Sequence, residues 1–227
     1  MSMADRLLEP ADFKRGPGGR PTRREAERRH DVLLNTASRL FLKHGFDAVS
    51  IDEIAKRAAV AKRFIYARYR DKAELFVAAV EHCLADRLEA LHAFEPSARR
   101  AEAGLVDFGR TLLRIALQPD TLALQRLFLG AAHRFPELTR LFIARTRRRG
   151  LGEIERVLGH YAAKGEIEMA AGPFMAEQFL MSVIGFPQRA ALVGQRLPAQ
   201  ELDRRLHAAV RLYLDGCRRR RRNKALR

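Results

Sequence analysis

The chain has 227 residues, 47% of them hydrophobic, with 43 Lys and Arg against 27 Asp and Glu. That is enough to bury a sizeable core, yet no run of about 18 apolar residues marks a spanning helix, and two isolated cysteines, Cys83 and Cys217, exclude a disulfide framework or a zinc-finger set. The net charge of +16 favours polyanionic partners, because each Lys or Arg that pairs with a phosphate releases condensed counterions.

The basic excess sits at the ends. Residues 1–72 carry 17 basic and 10 acidic side chains, residues 73–217 carry 19 and 17, and residues 218–227 carry 7 and none. Residues 1–22 read as a disordered basic arm, since Arg15-Gly16-Pro17-Gly18-Gly19-Arg20-Pro21 cannot hold a helix. This stretch also lacks the apolar centre of a secretory leader, so a cytoplasmic protein with no membrane partner is expected.

A helix is expected from about Arg23 to His44, with Leu33, Ala37, Leu40 and Phe41 on one buried stripe and Gly45 as its stop. Ser50-Ile51-Asp52-Glu53 is a capping box that opens a short helix. A second short helical stretch spans Ala61 to Tyr69. Asp71-Lys72-Ala73-Glu74 is another capping box and opens a long helix through Leu91. Further helices are expected near 102–118, 121–134, 137–164, 173–194 and 199–217, separated by Pro and Gly breakers; no useful strand alternation appears. The expectation is an all-α protein: an N-terminal three-helix helix-turn-helix domain over 23–72, a helical regulatory and dimerisation domain over 73–217, and a basic tail over 218–227.

Two short helices joined by a tight turn after a support helix suit a helix-turn-helix. Ile51, Ile54, Ala55, Val60, Ile65 and Tyr69 supply a small shared core. Lys62, Arg63, Tyr66 and Arg68 then project outward, on a helix that can enter the major groove.

The segments Phe41-Leu42-Lys43-His44-Gly45-Phe46, Val49-Ser50-Ile51-Asp52-Glu53-Ile54-Ala55 and Val60 to Phe76 resemble, in order and spacing, the DNA-binding domain of TetR-family regulators. The resemblance covers about residues 30–78. It departs from the family pattern at Ala59, where a turn glycine is usual, and at Ala61, where a Ser or Thr usually caps the recognition helix. The resemblance implies that Ser50, Lys62, Arg63, Tyr66, Arg68 and Lys72 contact DNA. Arg20, Arg23 and Arg24, beside Gly and Pro, suit a minor groove, while the Arg218–Arg222 run reads as a solvated tail.

One recognition helix contacts few base pairs, so a homodimer on palindromic double-stranded operator DNA is expected. Phe179, Val183 and Phe186 on one helix, with Leu202, Leu206, Val210 and Tyr213 on another, form apolar strips. The strips fit either a dimer surface or the chain's own core; the resemblance implies a four-helix dimer interface. It also implies an apolar effector pocket lined by Phe94, Phe108, Leu112, Phe128, His133, Phe142 and Met175, residues that would otherwise be core. The stretch 116–142, with Leu122–Phe128 and Phe135–Leu138, resembles the AefR-like group of C-terminal domains.

A small apolar effector would then make the chain a ligand-responsive regulator, expected to be a repressor. An alternative is a dimeric regulator with no ligand, and another is an architectural DNA binder driven by its basic tails. An enzyme is not expected: there is no His-Glu-x-x-His, no phosphate-cradling loop after a strand and no Ser-centred elbow, and no cofactor or metal is implied.

Overall fold

The structure is a computed structural model and describes residues 23–97, 100–136, 138, 140, 148–168 and 172–217. The named helices among them are α1 (Arg23–Ala48), α2 (Ile51–Arg57), α3 (Lys62–Tyr66), α4 (Lys72–His92), α5 (Ala101–Ala116), α6 (Pro119–Ala132), α7 (Arg148–Ala163), α8 (Gly172–Leu192) and α9 (Ala199–Cys217). No helix among the described residues is long and apolar enough to cross a membrane.

Two compact units divide the described chain. The first runs to Leu84 and takes in Leu127–Leu141; the second comprises Ala85–Arg126 and the described residues beyond 141. The stretch Leu127–Leu141, read from sequence as regulatory, thus clusters with the N-terminal unit. Both α4 and α6 carry residues of each unit.

The first unit is built on the stripe the sequence indicates: Leu33, Ala37, Leu40 and Phe41 of α1 are buried, with Ile54 and Ala55 of α2, Ile65 of α3, and Leu75, Phe76 and Ala79 of α4. Gly45 leaves the helical region, with φ 84° and ψ 167°. A glycine tolerates that backbone at little cost, and the turn after it carries Phe46 into the core. Helix α1 therefore ends at Ala48 rather than His44, across a kink at the expected stop. The Ser38 hydroxyl lies 2.7 Å from the Leu34 carbonyl and 2.8 Å from that of Ala79, which ties α1 to α4.

In the second unit α5, α7, α8 and α9 enclose one core, with Leu105, Phe108 and Leu112 from α5, Ile154, Val157 and Tyr161 from α7, Phe179 and Val183 from α8, and Leu206 and Val210 from α9. Two glycines let α5 approach its neighbours. A Cβ on Gly104 would collide with the Tyr161 hydroxyl, and one on Gly109 would come within 2.5 Å of Leu206 Cδ1. Helix α8 runs on through Pro187.

Helix ends leave backbone groups without intrahelical partners, and in this unit distant side chains meet them. Glu166 accepts from the Ala101 amide at 2.7 Å, at the start of α5. Arg156 donates to the carbonyls of His92 and Phe94 at 3.1 and 2.7 Å, closing α4. Arg126 donates to those of Ala191 and Leu192, both at 3.0 Å, closing α8.

Candidate nucleic-acid interface

Local hydrogen bonds set the start of α2 and of α4. The Glu53 amide donates to Ser50 Oγ at 3.1 Å, so Ser50 caps α2. The Glu53 carboxylate is turned to Arg57 at 3.0 Å instead of back to Ser50. The Glu74 amide donates to Asp71 Oδ1 at 2.9 Å, and the Glu74 carboxylate accepts from the Arg70 amide at 2.9 Å. The Glu74 amide is the first reason that the Asp71 carboxyl titrates below its ordinary value.

Between α2 and α3 the turn passes through Ala59, which holds φ at 53°. The left-handed region at 59 is where glycine fits without strain. Ala61 precedes α3 without a side-chain cap. Both departures from the family pattern therefore fall at backbone positions where the usual residue would be better suited.

Helix α3 buries Ile65 and leaves Lys62, Arg63 and Tyr66 exposed. Just beyond its end, the exposed Arg68 folds back: its guanidinium lies 3.8 Å from the Phe64 ring centroid and donates to the Phe64 carbonyl at 3.2 Å. Lys62 reaches Asp52 of α2 at 2.5 Å, an exposed pair that bridges the two motif helices. Exposed pairs of this kind are weak, so the Lys62 ammonium can exchange its carboxylate for a phosphate or a base edge. Behind α3, Tyr69 is buried and its hydroxyl lies 2.5 Å from His30 Nε2 on α1. Burial first, and Arg68 second, push the His30 pKa down.

Lys72, expected on DNA phosphate, is engaged within the chain. Its ammonium donates to the carbonyls of Phe46, Val49 and Asp47 at 3.0, 3.1 and 3.4 Å and lies 4.4 Å from the Phe46 ring centroid. An ammonium has three donors, so the clamp engages all of them. Burial lowers the Lys72 pKa, and Asp47 opposes that shift. Lys72 thus positions the segment that delivers Ser50 to the start of α2.

The same segment is held from the other side. Phe135 meets the Phe46 ring at 4.8 Å, Phe128 meets Phe76 at 5.1 Å, and Phe46 meets Phe76 at 5.3 Å. Arg134 pairs with Asp47. Sequence reading missed Asp47, Arg134 and Phe135 as one clasp; nothing local signals a pair 87 residues apart.

The remaining expectations fall as follows. Ser50, Arg23 and Arg24 are exposed, and Arg23 pairs with Glu27 at 3.0 Å; Arg20 lies outside the described residues. Of the seven residues expected at a dimer surface, Phe179, Val183, Leu206, Val210 and Tyr213 are buried in the chain's own second-unit core, which corrects that reading. Only Phe186 is exposed and Leu202 half-buried. The exposed apolar residues of α8 and α9 include Met181, Phe186 and Leu212.

Of the expected pocket residues, Phe108, Leu112 and Met175 are buried in the second unit's core and Phe94 packs against it, 4.9 Å from the Phe108 ring. Phe128 belongs to the first unit, His133 is exposed there, and Phe142 lies outside the described residues.

Comparison with known proteins follows the two parts of the chain. Residues 33–79 match the family model described as bacterial regulatory proteins, tetR family, and residues 103–216 match the one described as the AefR-like transcriptional repressor, C-terminal domain. Among curated relatives, the transcriptional regulator AcrR of Shigella flexneri is 40% identical over 57 residues, 25% of this chain and 26% of that protein. The transcriptional activator FasR of Mycolicibacterium smegmatis is 36% identical over 83 residues, 36% of this chain and 38% of that protein. The chain thus matches well under half the length of either relative.

Solved structures extend the likeness to the whole fold. A TetR-family regulator from Mesorhizobium loti superposes with a TM-score of 0.71 at 24% identity, over 86% of this chain and 98% of that one. The flavonoid-responsive regulator FrrA does so with a TM-score of 0.69 at 27% identity, over 86% and 99%. With a helix-turn-helix in the first unit, a helical second unit and both family models matched, the chain belongs to the TetR family of bacterial transcriptional regulators, which bind DNA and are not enzymes.

Proposed function

We propose that this chain is a cytoplasmic, ligand-responsive repressor that binds palindromic operator DNA as a homodimer. The observation that carries the DNA-binding part is the outer face of α3, where Lys62, Arg63 and Tyr66 are exposed together while Ile65 anchors the helix. Lys or Arg on such a helix pairs with guanine O6 and N7 in the major groove. Ser50, at the start of α2, offers a hydroxyl and amides to phosphate. Arg20, Arg23 and Arg24 add minor-groove or phosphate contacts from the arm.

A dimer is supported by the apolar residues left outside. Met181, Phe186 and Leu212 are exposed on α8 and α9, which the Arg205 guanidinium joins by lying 4.4 Å from the Phe186 ring centroid. Ligand response is supported by the likeness to FrrA, whose name gives it as flavonoid-responsive. Repression is supported by the description of the C-terminal family. An effector would act by population shift, favouring one setting of α4 and of the Phe128–Phe135 clasp at Asp47. A coupling of about 1–3 kcal/mol suffices for a useful response.

A regulator without an effector is the second reading. It is favoured by the packing of Phe94 on Phe108, 4.9 Å between ring centroids, where a cavity lining was expected.

The test is binding of the purified protein to the DNA upstream of its own coding sequence and to a scrambled duplex, at two salt concentrations, with Lys62→Ala alongside. The upstream DNA is expected to be preferred at both salts, and the variant to lose about 1–3 kcal/mol. Equal binding to both duplexes, lost together with salt and indifferent to the substitution, would leave only the basic tails as the DNA-binding element.

A further inference from the structure

The first half of α6 leaves two buried polar atoms unmatched. Thr121 Oγ1 and Gln125 Oε1 are both shielded from solvent, and neither has a hydrogen-bond partner. The polar residues around them are paired. Arg87, buried, donates to Gln118 Oε1 at 2.7 Å and lies 3.6 Å from Asp120. Arg126 closes α8. Buried polar groups are almost always satisfied, so two that are not, in the same helix, need an explanation.

Their placement is not random. Thr121 and Gln125 stand at i and i+4 in α6 and share one face of the helix. Thr121 and Gln125 are one turn apart, with Cβ atoms about 6 Å from one another. Two other hydroxyls in this unit turn back to the carbonyl four residues earlier, Ser182 to Gln178 at 2.7 Å and Thr111 to Asp107 at 3.4 Å, whereas Ser97 Oγ, before α5, is also without a partner. Thr121, in the first turn of α6, makes no such bond.

We propose that Thr121 and Gln125 are the polar anchor of the effector site and that the effector is a neutral, hydroxyl-bearing molecule. The inference rests on the ligand-responsive reading above and deepens it. Gln125 Oε1 only accepts, so its partner must donate. Thr121 can donate or accept. One ligand hydroxyl meets both needs at once, accepting from Thr121 and donating to Gln125. A carboxylate could take the Gln125 Nε2 donors but would leave Oε1 unmatched. The nearby positive charge offers it little, since Arg87 already faces Asp120.

The test uses the full-length protein with Gln125→Leu and Thr121→Val, and two probes of one shape: a hydroxyflavone and its O-methyl ether. Thermal unfolding is measured without and with each probe. Without probe, both variants are expected to keep or raise Tm, because an unpaired buried polar atom is replaced by an apolar one. With probe, the wild-type protein is expected to bind the free hydroxyl form about tenfold or more tightly than the ether, and either variant to abolish that preference.

Three results would overturn the assignment. A lower Tm in both variants without probe means that bound water already satisfies the pair. A hydroxyl preference that survives in both variants places the anchor elsewhere, with ligand response intact. No Tm shift of the wild-type protein by either probe removes hydroxyflavones from the Thr121–Gln125 anchor and overturns the assignment, without bearing on response to another effector.

Discussion

At the scale of single residues, Ala59 and Ala61 are the two places where the motif is less well suited to its backbone than it could be. Ala59 sits at φ 53°, and Ala61 precedes α3 without a cap. The left-handed region costs a non-glycine residue about 1–2 kcal/mol, and a missing cap about 1 kcal/mol. Ala59→Gly and Ala61→Ser are therefore each expected to raise stability by about 1 kcal/mol in urea unfolding; a loss in either would mean that the turn is not formed as described. Lys72 separates two roles more sharply. A phosphate contact predicts that Lys72→Met lowers the salt dependence of operator binding by about one unit of slope per contact. The clamp on Phe46, Asp47 and Val49 predicts an unchanged slope, with weaker binding and lower Tm, because the delivery of Ser50 to α2 is loosened.

At the scale of elements, α5 depends on glycine where α7 does not. Gly104→Ala would drive a methyl group into the Tyr161 hydroxyl, and Tyr161 is fully buried and cannot swing aside. A loss of about 1–3 kcal/mol is expected. Gly159→Ala, in α7 with open space around it, should instead gain up to about 1 kcal/mol from helix propensity alone. Thermal unfolding of the pair checks both signs, and a shared sign would contradict the packing of α5 on α7.

The same contrast explains what the sequence made legible. The caps at Ser50 and Asp71, the stop at Gly45 and the stripe from Leu33 to Phe41 are local patterns, set by residues within a turn or two, and they can be read directly. Apolar periodicity identifies a buried face but not what buries it. Phe128 carries the same signal whether it lines a pocket or meets Phe76, and Phe179 the same whether it faces a second chain or Phe108. The Asp47–Arg134 pair and the arginine caps on α4 and α8 join residues more than sixty positions apart, which no spacing rule announces.

At the scale of the whole molecule, the question is how a recognition helix of five residues reads an operator at all. One such helix spans only a few base pairs, so useful affinity requires two held about one helical turn of DNA apart. The strips that apolar periodicity offers for this are mostly interior, which leaves Phe174, Met181, Phe186 and Leu212 as the exposed large apolar side chains described on α8 and α9. A charge there should separate the copies without disturbing the chain's own core, since these side chains are half or more exposed. Phe186→Asp combined with Leu212→Asp is therefore expected to sediment as a monomer, with unchanged helical content by circular dichroism. It should bind a palindromic operator about a hundredfold more weakly, the scale at which a second linked contact is lost. Binding to an isolated half-site should change little, because the α3 face is untouched. A variant that stays dimeric would move the interface to other helices, and a monomer that keeps full operator affinity would mean that a single chain reads the whole site.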